Sequence, residues 1–143
     1  VPEGPLWAQL KKGSPISLPN GRTIKPEDVC GPKLPGRKIV YSGDTRPVKS
    51  VVKLAEGADI LIHDATFDDE LEDRAYEDGH STASQAARVA REAQVKRLFL
   101  IHISARYKDP TILLEQARRI FPNTEVAEDL MRVEVPLPRE PRF

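Results

Sequence analysis

The chain has 143 residues, with 22 Lys and Arg against 22 Asp and Glu, three His, one Cys and 13 Pro. Domains cluster near ~100–150 residues, so this length holds at most one, and a 39% apolar share with a mean hydropathy of -0.45 excludes a disordered chain. No apolar run approaches the ~20 residues of a membrane helix, and zero net charge excludes a nucleic-acid binder that works through its whole surface. The start lacks a signal peptide and the lone Cys30 has no internal partner, so a reducing, cytoplasmic setting is expected.

Proline divides the chain: eight lie in residues 1–47, none in 48–109 and five from Pro110 onward. Residues 1–36 read as an irregular segment with one β-hairpin, because Asn20-Gly21 separates the short runs Ile16-Ser17-Leu18 and Arg22-Thr23-Ile24. From residue 37 to 143, strands alternate with helices. Lys38–Ser42 predicts a strand, and Pro47–Glu56 a helix with Val48, Val51, Val52 and Ala55 on one face and Gly57 beyond its end. Ala58–His63 predicts the next strand, followed by a charged loop. Thr82 with Gln85 three later forms a capping-box pattern before Ala83, Ala86, Ala87 and Ala90 at helical spacing. Val95–Ile101 predicts a strand covered on both faces. Asp109-Pro110 then predicts a helix burying Leu113, Leu114, Ala117, Ile120 and Phe121, and a strand pair is expected near 125–127 and 131–135.

Such β-α-β alternation implies an α/β fold with a largely parallel sheet, whose chemistry gathers at the carboxyl ends of its strands. That rule collects Asp44, His63, Asp64 and His102 at one rim, with His80 opening the intervening helix. Carboxylates and imidazoles at one rim suit a hydrolytic metal site. Each residue also has a structural reading: an Asp after a strand is commonly a cap or turn former, and a single His a surface or core residue.

Together, Ser42-Gly43-Asp44-Thr45, His63-Asp64-Ala65-Thr66-Phe67, Gly79-His80-Ser81-Thr82 and Leu100-Ile101-His102-Ile103-Ser104-Ala105-Arg106-Tyr107 resemble the ordered motifs of ribonuclease Z. That family comprises tRNA 3′-processing endonucleases of the metallo-β-lactamase fold. The resemblance implies that residues 37–143 are the C-terminal half of a metallo-β-lactamase αβ/βα sandwich. It implies a zinc-dependent endoribonuclease, with two zinc ions per complete active site, that removes the 3′ trailer of precursor tRNA. By the same resemblance, the metals would make a bound water acidic enough to attack the phosphodiester in line.

Asp44 matches the metal-bridging aspartate and His102 the terminal histidine on the second zinc. His80 matches the histidine that protonates the leaving 3′-oxygen. Its orienting partner in the family is a glutamate, and here that position is Asp64, one methylene shorter, so either the two loops close up or a water intervenes. His63 is structural in this reading. Ser81 and Thr82 would hold phosphate or simply cap the helix, and Arg106 and Tyr107 would contact RNA or form a solvent-facing loop with a packed Tyr.

The family's His-x-His-x-Asp-His motif is missing. Two protein ligands fall short of the three of a catalytic zinc, so the chain is expected to be a C-terminal segment, inactive alone. It would expose an apolar sheet face to the missing N-terminal half or to a second copy in a homodimer. Other readings are another phosphodiesterase of the same fold, a non-enzymatic module whose rim residues are caps, and a phosphatase with Asp44 as nucleophile. The last lacks an Asp-x-Asp pair.

Overall fold

The computed structural model describes residues 4–29, 31 and 35–137; Cys30 and its expected lack of a disulfide fall outside them. The described chain divides into two compact units, one within Val1–Pro35 and one within Gly36–Pro138.

The first unit is more regular than the proline density predicts. Helix α1 (Pro5–Lys11) places Pro5 in its first turn, where a missing N–H costs nothing, and packs against β1 (Ile16–Ser17). Strand β1 pairs antiparallel with β2 (Thr23–Ile24), with Ile16 opposite Ile24. The hairpin turns as expected, over three residues: Gly21 N–H donates to Leu18 O, and Gly21 takes the left-handed φ of 78° that a residue with a Cβ avoids. A short helix, α2 (Pro26–Val29), follows; its Asp28 carboxylate accepts from Lys25 N–H. Neither helix was expected, since Pro at a helix start resembles Pro in a loop.

The second unit contains β3 (Ile39–Tyr41), α3 (Lys49–Ala55), β4 (Ile60–Asp64), α4 (Glu72–Asp78), α5 (Ala83–Glu92), β5 (Arg97–Ile101), α6 (Thr111–Arg118) and β6 (Thr124–Val126). The four strands form one parallel sheet in the order β3-β4-β5-β6. Val40, Leu61, Leu98 and Leu100 share one face, and they bury against Ala83, Ala86, Ala87 and Ala90 of α5 together with Val51, Leu113 and Ala117. Four alanines bring the α5 backbone close to the sheet. The capping box holds: Thr82 Oγ1 accepts from Gln85 N–H and Gln85 Oε1 from Thr82 N–H. On the opposite face Ile39 and Tyr41 are 56% and 63% exposed.

Two expectations fail. The charged loop after β4 contains a 3-10 turn (Asp69–Leu71) and α4; Asp68 caps the turn by accepting from Glu70 N–H. Residues 131–135 form no strand. Leu130, with φ 63°, and the turn closed by Met131 N–H on Glu128 O redirect the chain, and Val135 O instead accepts from the Arg37 guanidinium. Alternating apolar residues make a strand only where a neighbouring backbone is free to pair.

Candidate active site at the carboxyl ends of the parallel strands

Strand β3 delivers Asp44, β4 ends on Asp64, and His102 directly follows β5. Because Asp64 is in register with Ile101, the loops after β4 and β5 start side by side. Gly43 has φ 66°, a left-handed turn between Ser42 and Asp44. His102 is itself left-handed, with φ 60°, which bends the chain sharply off the strand. His80 is fixed by its own N–H, which donates to Ala75 O at 2.7 Å, while the Arg46 guanidinium joins the β3 loop to Tyr76 O at 2.6 Å.

Asp64 is the centre. Fully buried, its Oδ2 accepts from Thr45 N–H at 3.0 Å and contacts His80 Nδ1 at 2.8 Å; its Oδ1 accepts from Thr66 N–H at 2.9 Å and Thr66 Oγ1–H at 2.7 Å. The bond to His80 is direct, so the shorter Asp64 carboxylate reaches it without an intervening water. Thr66 Oγ1 also lies 2.8 Å from His102 Nδ1. The rings of His80 and His102 stack with centroids 4.9 Å apart, and Phe67 meets His80 edge-on. His102 Nε2 sits 3.4 Å from Asp44 Oδ2, both side chains about half exposed at 44% and 54%.

One ligand atom each from Asp64, His80 and His102 lie within 4.8 Å of one another, a group able to approach a metal. Asp64 is the weakest member, since four donors already occupy its carboxylate. Asp44 and His102 fit better. Two ligands of a tetrahedral zinc, each ~2.0–2.2 Å from the ion, stand about 3.3–3.5 Å apart, and these atoms are 3.4 Å apart with solvent on one side.

The hydroxyls expected to meet phosphate are placed otherwise. Ser81 and Thr82 are fully buried; Ser81 Oγ–H donates to Thr45 O at 2.6 Å, and Thr82 caps α5. Burial and filled partners leave both as structural residues. Tyr107 is part-buried and its hydroxyl accepts from Asp68 N–H, with burial raising its pKa. It braces the loop against the segment after β4. Arg106 is exposed, its guanidinium over Phe67 at 5.0 Å from the ring centroid.

His63 is wholly buried. Its Nδ1 lies 2.8 Å from Asp64 O, its Nε2 has no partner among the described residues, and burial lowers its pKa. Sequence reasoning gave Thr66 no task, although a Thr two residues after an Asp is the spacing of an Asx turn. A cavity of about 620 Å³ lies beyond the 103–107 loop, lined by Tyr107, Leu114, Arg118 and Met131, and includes none of Asp44, Asp64, His80 and His102. No described helix is long and apolar enough to cross a membrane.

Residues 8–103 match the family described as the beta-lactamase superfamily domain. The chain is 57% identical to a ribonuclease Z of Archaeoglobus fulgidus over 94% of its own length and 44% of that protein's, and 53% identical to one of Myxococcus xanthus over 96% and 45%. The human short-form tRNase Z structure superposes with a TM-score of 0.57 at 35% identity, covering 80% of this chain and 37% of that one. The chain thus spans less than half the length of these relatives. It belongs to the beta-lactamase superfamily, and the relatives it resembles over nearly its whole length are ribonucleases Z.

Proposed function

We propose that the chain is the C-terminal part of a zinc-dependent endoribonuclease that removes the 3′ trailer of precursor tRNA. The observation that carries this reading is the buried Asp64 carboxylate, which orients His80 directly and His102 through Thr66 beside Asp44. Asp44 and His102 hold metal, and the remaining ligands come from an N-terminal half with the His-x-His-x-Asp-His motif. When bound, the metal supplies an activated water and offsets charge developing on the phosphate.

The chain's own residues do the rest. His80 Nδ1 is committed to Asp64, so Nε2 is the ring nitrogen left to carry a proton to the leaving 3′-oxygen. Arg106, held over Phe67, reaches toward the RNA backbone. With two ligands the isolated chain is inactive, and the sheet face carrying Ile39 and Tyr41 seats the missing half, or a second copy when that half is absent.

The test is cleavage of precursor tRNA by the full-length protein. His80→Ala should lower kcat by about 10²–10⁴-fold while bound zinc is unchanged. Cleavage of simple diesters but not precursor tRNA, or a full-length protein that takes up no metal, overturns the proposal. Light scattering of the 143-residue chain should find dimers or larger species; a dilute monomer refutes the exposed-face reading.

A further inference from the structure

Thr66 sits between the two ring systems, is nearly buried, and uses every polar group it has. Its N–H donates to Asp64 Oδ1, its carbonyl accepts from Ser104 N–H at 3.1 Å, and its hydroxyl lies within 2.8 Å of both Asp64 Oδ1 and His102 Nδ1. A hydroxyl has one proton to give. Asp64 Oδ1 accepts from the Thr66 backbone and Oδ2 from the Thr45 backbone, so the carboxylate is an acceptor and the Thr66 proton goes to it. The Thr66 oxygen then has only lone pairs for His102, and His102 Nδ1 must carry the hydrogen. In the neutral ring, Nε2 is therefore the bare nitrogen, and it is the atom 3.4 Å from Asp44 Oδ2. Two acceptors facing each other at that distance are stabilised by a cation between them.

We infer that Thr66 is a positioning residue: it relays the Asp64 carboxylate to His102, locks that imidazole in the Nδ1–H tautomer, and so presents the Nε2 lone pair to the metal. One carboxylate thereby sets both histidines, His80 in one step and His102 in two. The Ser104 N–H bond fixes the loop that carries His102 to the same residue. The consequence for metal binding rests on the proposed role of His102 above; the tautomer does not.

The test begins with long-range proton–nitrogen correlation spectra of the 143-residue chain, labelled at histidine, at a pH where the exposed imidazoles are neutral. The unsubstituted chain and Thr66→Ser should both show His102 with hydrogen on Nδ1. Thr66→Val keeps the shape and both backbone bonds but has no hydroxyl. It should move His102 toward the Nε2–H form, leave His80 as it was, and weaken zinc binding by the full-length protein about 10–100-fold, read by competition with a chromophoric chelator. Three results overturn the relay: His102 with hydrogen on Nε2 in the unsubstituted chain, unchanged His102 signals and zinc affinity in Thr66→Val, or Thr66→Ser losing as much as Thr66→Val. If Thr66→Val does not fold, the first decides, together with Thr66→Ser, which overturns the relay if its His102 carries hydrogen on Nε2. Nδ1–H on His102 in a full-length protein that binds no zinc upholds the relay and refutes the metal reading.

Discussion

Asp64→Asn changes one atom and strips the charge from the centre of the site. The carboxylate accepts two donors on each oxygen, and each pair includes one backbone N–H, from Thr45 on Oδ2 and Thr66 on Oδ1. Whichever way the amide turns, its NH2 faces one of those N–H groups. The side-chain partners can adapt, since His80 can switch tautomer and the Thr66 hydroxyl can rotate, but a backbone N–H cannot. One orphaned buried donor costs about 1–3 kcal/mol, and each of the other three bonds loses about 1 kcal/mol on passing from charge-assisted to neutral. Relief of the buried carboxylate's desolvation offsets part of this, leaving a net loss of about 2–4 kcal/mol from a domain stability that is itself only ~5–15. Urea unfolding followed by circular dichroism should place the midpoint about 1–2 M lower for a slope near 2 kcal/mol/M. Asp64→Glu keeps the charge and all four acceptors but adds a methylene at a position with no exposed surface. It should cost about 1–3 kcal/mol by overpacking. An unchanged midpoint for Asp64→Asn would refute the four-acceptor assignment.

Substitutions at three further positions probe the frame. Gly43→Ala meets no atom of the described residues within 4 Å of the new Cβ, so its effect is the left-handed backbone alone, about 1–2 kcal/mol by denaturant unfolding. Thr82→Ala removes the cap of α5 and should cost about 1 kcal/mol, whereas Thr82→Ser should recover most of it; equal losses would locate the effect in the methyl. His63 gives a pH signature. Its pKa is lowered in the folded chain by burial, so between the folded value and the unfolded ~6.5 the unfolded state binds more protons. Its contribution is intact above pH ~6.5 and lost as pH falls, with a slope of at most ~1.4 kcal/mol per pH unit. His63→Leu should flatten stability as pH falls below about 6.5, and an unchanged slope would move the effect to other groups.

Legibility in the sequence follows the range of the interactions. Helix α5 is readable because its cap, Thr82 with Gln85, and its alanine face are local. The parallel sheet is readable because alternation leaves few topologies. Helix α4 is not, since its charged run looks like a loop until tertiary contacts hold it, and α1 is hidden by the ambiguity of Pro5. The strand expected at 131–135 fails because pairing is decided by what lies alongside.

The same distinction governs the site. Strand ends collect Asp44, Asp64 and His102 from the order of elements, but Thr66 and His102 are 36 residues apart, and their bond exists only because β4 and β5 are neighbours. Burial then separates residues of like chemistry. Ser81 and Thr82 have the hydroxyls to hold a phosphate and are spent inside, whereas Asp44 and His102 stay half exposed at the rim. A carboxylate serves a metal when its oxygens are free and an imidazole when they are filled. Asp64 and Asp44, both next to strand ends, take opposite sides of that division because one is enclosed by four donors and the other opens to solvent.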